Sequence, residues 1–192
     1  MNDIKEQFNT ITLVMIPVAI AINLAVGQLV LALPIYLDSI GTVLVGVLAG
    51  GWAGALTGLL ANIIWGFLGN PTYVPFAAVA AVIGLLAAFF ARLGWFKSWW
   101  KVLLGGLLTG LVAALLSAPI SAYVFGGVTG AGTDALVAFF RSAGEGVLGA
   151  SFAQGAVSDP LDKAITFLLV WLIIRALPKR FLARFPGSED VS

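Results

Sequence analysis

The sequence predicts an all-α integral membrane protein with six transmembrane helices and a long extracellular link, containing a short helix, between the fifth and sixth. Three observations predict it. The 192 residues are 60% hydrophobic and only 10% charged, whereas a soluble domain carries roughly 25% charged residues. Between residues 37 and 70 every fourth residue is small or polar: Asp38, Thr42, Gly46, Gly50, Gly54, Gly58, Asn62, Gly66 and Asn70. Positions i and i+4 share a helix face, and small residues so spaced let helices approach closely inside lipid. Finally, basic residues gather in alternate connections, as the positive-inside rule requires of a multi-pass chain.

The spans fall at roughly 10–27, 37–50, 52–69, 76–93, 102–124 and 158–177, a single membrane domain over 1–192. The polar stretch 1–9 is not a basic leader, and no cleavage signature follows, so the first apolar run reads as a retained span. Residues 37–70 would form one helix about 51 Å long at ~1.5 Å per residue, too long for a ~30 Å hydrocarbon core. Gly50-Gly51 is the expected break. The second span is short and needs a thinned bilayer or neighbours around its end. Arg92, Lys97 and Lys101 lie in the link after span 4, flanked by Trp95, Trp99 and Trp100 as interfacial anchors. The fifth connection opens with a glycine-rich stretch. Within it Thr133 or Asp134 is expected to cap a helix running from Ala135 towards Leu148, with Arg141 and Glu145 paired on its surface. Asp159-Pro160 is expected to open the last span, because proline and a carboxylate both suit a first helical turn. Of the ten basic residues only Arg141 and Lys163 fall on the other side. This predicts that residues 1–9, the 92–101 link and the tail 178–192 are cytoplasmic.

Composition excludes several functions. There are no cysteines and no histidines, which removes disulfides, thiol nucleophiles, imidazole bases and the metal sites built on those ligands. No cofactor or metal is expected, and no enzyme. Intramembrane hydrolysis needs an ordered nucleophile and base, and Asp38, Asp159 and Asp162 form no recognisable ligand motif. A net charge of +1 rules out nucleic-acid binding driven by bulk charge. The chain has no phosphate-binding loop, so it is not itself an ATPase.

Given this topology, Asn23, Asp38, Thr42, Asn62, Ser117, Ser121, Tyr123, Asp159, Asp162, Lys163 and Thr166 fall in the outer half of the membrane. The inner half holds little beyond Thr12, Thr57 and Thr109, whose hydroxyls can bond back to their own helices. The asymmetry predicts a polar cavity open outward and closed below, unlike a channel, which needs lining through both halves. Asn62, Trp65 and Tyr73 are expected to face a ligand, opposed by Tyr123, Arg141 and Asp159, with Asp38 nearby. Asn62 and Trp65 are three apart, an amide beside an aromatic plane. Plainer readings stand beside these. Asp38 and Asp159 would serve equally as helix caps, Asp162 and Lys163 as headgroup-region charges, and Asn23 and Asn62 as interhelical hydrogen-bond partners. The aromatics Tyr36, Trp65, Phe67, Tyr73, Tyr123 and Phe125 would partly suit an interfacial belt, and their crowding around one mouth also suits a pocket for a flat ring.

Six short spans, Ala21 and Ala25 in AIAINLAV, the run DSIGTVLVGVLAGGWAGALTGLLAN and the closing DPLDKAITFLLVWLIIRALPKR together resemble the substrate-binding S components of energy-coupling factor transporters. The resemblance covers most of the chain. It implies a bacterial or archaeal cell-membrane subunit that captures a small vitamin or vitamin precursor from outside. Uptake would then depend on a separate transmembrane coupling subunit and two cytoplasmic ATPases. It further implies that Ala21 and Ala25 lie on the face meeting the coupling subunit, and that the outer loops and outer ends of spans 4 to 6 hold the ligand. A self-contained secondary carrier and a membrane sensor or scaffold subunit are the competing readings. Internal inverted repeats would favour the carrier.

Overall fold

Asn9 starts the first long helix, its side-chain oxygen accepting the Thr12 N–H at 2.9 Å, as an N-cap residue does. A computed structural model describes residues 2–191 and the side chains of 4–191. Among the described residues the elements are helical: α1 (Asn2–Gln7), α2 (Thr10–Val30), α3 (Ile40–Ala49), α4 (Gly51–Leu68), α5 (Ala77–Arg92), α6 (Trp99–Phe125), α7 (Asp134–Ser142), α8 (Val147–Ala176), α9 (Lys179–Leu182) and α10 (Ser188–Val191). Short 3₁₀ turns at Pro71–Phe76 and Trp95–Lys97 join α4 to α5 and α5 to α6.

Four segments are long and apolar enough to cross a membrane: Thr10–Val30, Gly51–Leu68, Pro71–Arg92 and Trp99–Phe125. They expose large side chains such as Val14, Val18, Leu56, Phe89, Leu111 and Leu115, a surface that lipid tolerates and water does not. Such helices mark a membrane protein. Ile40–Ala49 is apolar but only 10 residues long. α8 has the length to span, but Asp159, Asp162 and Lys163 put three charges in its middle.

The expected break falls where the glycines put it. Gly50 adopts φ +115° between α3 and α4, a conformation open to glycine and costly to other residues. Below the polar residues the helices close backbone to backbone. A Cβ on Gly54 would stand 2.6 Å from Gly46 Cα, and one on Gly84 would stand 2.3 Å from the Gly54 carbonyl carbon. The every-fourth-residue glycines thus join α3, α4 and α5 by contact between main chains, as small residues do in lipid. α6 and α8 meet in the same way, since a Cβ on Gly110 would lie 2.3 Å from Pro160 Cα.

Hydrogen bonds define the two ends of the bundle. At one, the Gln7 side chain accepts the Trp52 N–H at 2.9 Å, the Gly187 N–H donates to the Leu48 carbonyl at 2.8 Å, and Arg175 reaches the Lys97 carbonyl at 3.4 Å. The first and last described helices, α1 and α10, and every basic residue except Arg141 and Lys163 gather there. At the other end, the Gly132 N–H donates to Leu31 O at 3.0 Å, joining the α6–α7 and α2–α3 loops. We call these the basic end and the cavity end.

Two expectations about the fifth connection are corrected. The short helix stops at Ser142, and Gly144 turns the chain at φ +102°. Arg141 and Glu145 therefore share no helix. The last helix begins at Val147, well before Asp159-Pro160, so Asp159 caps nothing and lies mid-helix. Nor does Asp38 cap α3, whose N-cap is Ser39 without a side-chain bond.

Candidate functional site

Because α8 starts early, its polar residues form a stripe. Ser151, Gln154, Ser158, Asp159, Asp162, Lys163 and Thr166 recur at spacings of three and four and all are buried, so they share one face turned into the protein. Gly106 and Gly110 of α6 let α8 approach until their would-be Cβ atoms meet its main chain at residues 159–164. That contact fixes the depth of the stripe.

The stripe is tied to the α2–α3 loop. One oxygen of Asp162 accepts the backbone N–H groups of Tyr36 and Leu37 at 3.0 and 2.7 Å. The other bonds the Lys163 ammonium. Lys163 also donates to Ser39 Oγ at 2.8 Å and stands 3.6 Å from Asp38. Burial of an unpaired ammonium would be costly, and these partners offset it. The Tyr36 hydroxyl lies 3.0 Å from Thr133 Oγ1, and Gln154 donates to it at 3.3 Å. Burial, and then the charge of Asp159, push the Tyr36 phenol above its ordinary range, so it stays a neutral bridge between loop and helix.

These elements surround a cavity at the cavity end. α8 contributes Gln154, Asp159 and Lys163; α4 contributes Asn62; α5 contributes Val79, Ala80 and Ile83; α6 contributes Ala113, Ser117 and Ser121. Tyr36, Asp38 and Ser39 enter from the α2–α3 loop, and Asn70, Thr72, Tyr73 and Phe76 from the 3₁₀ turn. Thr129, Gly130 and Ala131 complete the lining from the α6–α7 loop. That loop is held by Asp134, whose carboxylate accepts from the Thr129 N–H at 2.9 Å, Thr129 Oγ1 at 2.8 Å and the Gly130 N–H at 2.7 Å. The cavity has a volume of about 110 Å³. That is below the ~300 Å³ at which ligand pockets usually begin and close to the ~150 Å³ of an apolar cavity that takes a single benzene ring. No cluster of three or more potential metal-ligating residues occurs among the described residues.

Of the residues singled out in the sequence, Asn62, Tyr73, Asp159 and Asp38 line this cavity. Trp65 does not: its ring stacks on Tyr73 at 4.0 Å between centroids and 9° between planes. It fits beside α2 because Gly27 has no side chain, a Cβ there falling 2.5 Å from the indole. Tyr123 is 76% exposed and Arg141 lies exposed in the last turn of α7. Neither joins the lining: Tyr123 faces outward from α6, and the loop before α7, not α7 itself, covers the cavity. Lys163, expected among headgroups, is 3% exposed and part of the wall. Asn23 is a helix tie, donating to Thr42 Oγ1 at 2.8 Å and accepting the Gly41 N–H at 2.7 Å. Asn62 is different, since no hydrogen bond engages its amide among the described residues. Ala21 and Ala25 are exposed on α2, beside a shallow groove between α2 and α4.

Comparison of the chain with protein-family models, with curated proteins and with solved structures gave no match.

Proposed function

We propose that the protein is the solute-binding subunit of an energy-coupling factor type transporter. It captures a small vitamin-like molecule outside the cell for ATP-driven uptake by a separate transmembrane coupling subunit and two ATPases. In this reading the chain crosses the membrane six times, with α3 and α8 as the second and sixth spans, and the basic end is cytoplasmic. The reading rests chiefly on one observation: a small polar cavity near one end of the bundle, closed beneath by main-chain glycine contacts. A pore would need polar lining beyond that floor. The threonines there return their hydroxyls to their own helices, Thr57 to Ala53 O and Thr109 to Gly105 O, both at 2.8 Å. A binding subunit needs no path of its own, because its partners supply the movement. The exposed Ala21 and Ala25 support a flat partner-facing stripe on α2.

The test is native mass spectrometry of the detergent-purified chain after expression in rich medium, with uptake measured in cells that also make a coupling complex. A small molecule retained one per chain, and accumulated only when the complex is present, is expected. A chain that retains nothing and confers no uptake contradicts the proposal.

A further inference from the structure

Resting on this reading of the cavity, we infer that its ligand is a flat ring bearing a cationic N–H group, such as an amidinium or a protonated amino-heterocycle, held by Asp159. Lys163 is already engaged by Asp162, Ser39 and Asp38. Asp162 is likewise complete, with two backbone N–H groups on one oxygen and the ammonium on the other. Asp159 is not. One of its oxygens accepts a single long bond from Ser117 at 3.3 Å, and the other has no partner although the residue is only 4% exposed. An ionised carboxylate offers about four acceptor positions, and leaving them empty in a buried site is costly.

The charge count points the same way. Asp38 and Asp159 line the cavity with Lys163, whose ammonium is also held by Asp162 behind the wall, and no second cationic side chain is among the lining residues. An anionic ligand would meet net repulsion, while a cation would complete the set. The lining also includes Tyr73, Phe76 and the apolar side chains of Val79 and Ile83. They suit the faces of a ring and strengthen a cation beside them. The cavity admits a body about the size of a single small ring.

Benzamidine, benzamide and benzoate share a shape and carry positive, zero and negative charge. Their binding to the purified full-length chain, followed by ligand-observed NMR, isolates the charge preference. Benzamidine is expected to bind about tenfold or more tightly than benzamide, with benzoate weakest. Asp159→Asn is expected to abolish the difference between the first two, while Thr57→Ala preserves it. Equal or better binding of benzamide or benzoate overturns the inference, as does failure of all three to bind. A benzamidine preference unchanged in Asp159→Asn, or saturation of the site by sodium ion alone, does the same. Should Asp159→Asn fail to fold, the charge series on the parent chain still decides. A retained natural solute that proves neutral or anionic would overturn this inference and leave the proposed function standing; a chain that retains no solute and confers no uptake contradicts the function itself.

Discussion

Asn62 and Thr57 lie five residues apart on α4, both buried and both polar, and they are used in opposite ways. Thr57 spends its hydroxyl on the Ala53 carbonyl of its own helix, whereas Asn62 leaves its amide to the cavity. The contrast extends to the two halves of the bundle. Around Thr57, helices meet through Gly46, Gly54 and Gly84 with main chain against main chain. Around Asn62, they are held apart by side chains that bond one another across loops, as Tyr36, Gln154, Asp162 and Lys163 do. In lipid, close packing by small residues gives a dense floor, and a hydrogen-bonded polar cluster supports a cavity above it. The floor is closed by main-chain packing, and the upper half encloses the cavity.

The largest expected effect comes from removing the ammonium that organises the upper half. Lys163→Met leaves Asp162 and Asp38 buried without their partner, which is expected to cost about 3–5 kcal/mol. Thermal unfolding in detergent should show the midpoint falling by roughly 10 °C or more. An unchanged midpoint would mean that the cluster does not hold the loop. In the floor, Gly84→Leu is expected to cost about 3 kcal/mol by overpacking, because even a Cβ would collide with the Gly54 main chain. Gly51→Ala, where the nearest atom is a flexible Leu85 methyl at 3.3 Å, should be tolerated. Equal midpoints for these two variants would break the account of the floor.

Binding separates the halves next. Asn62→Ala removes a hydrogen-bonding group from the wall and should weaken ligand by about 1–3 kcal/mol, roughly five- to 150-fold. Thr57→Ala, Tyr123→Ala and Arg141→Ala should leave affinity almost unchanged in calorimetry. If Asn62→Ala binds like the parent, the amide plays no part in recognition. The smallest effect on the isolated chain is expected from Ala21→Leu combined with Ala25→Leu. Solute affinity and stability should hold while uptake with the coupling complex is lost. Undiminished uptake would remove α2 from the partner interface.

The helices were legible where apolar length and local punctuation agree, as at the Gly50 turn, the start of α2, both ends of α5 and the end of α6 at Gly126, whereas α2 runs through Gly27 to Val30 and α6 begins three residues early at Trp99. The last helix was misread for a single reason. Pro160 looks like a helix start, but mid-helix proline is tolerated where neighbouring helices compensate, and here α6 packs on it through Gly110. Two further differences follow from that one. With the helix starting at Asp159, Lys163 falls near a membrane surface and Gln154 in a loop; with the start at Val147, both turn inward. The signal was present in the three-and-four spacing from Ser151 to Thr166, which continues through the proline. Tyr36 carried only its aromatic character as a signal, and its placement in the wall depends on Asp162 holding a loop more than a hundred residues away in sequence. Arg141 and Tyr123 were chosen for chemistry suited to a ligand, and chemistry alone does not show which connection folds over a cavity.

The central claim is that the cavity end faces outward and the glycine floor separates it from the cytoplasm. The chain has no cysteine, so single cysteines report position cleanly. Thr72→Cys lies in the cavity lining and Ser98→Cys beside the basic end. In intact cells an impermeant thiol reagent is expected to label Thr72→Cys, less so when solute is bound, and to leave Ser98→Cys unmodified until the cells are opened. Labelling of Ser98→Cys in intact cells, with Thr72→Cys protected, would contradict the account.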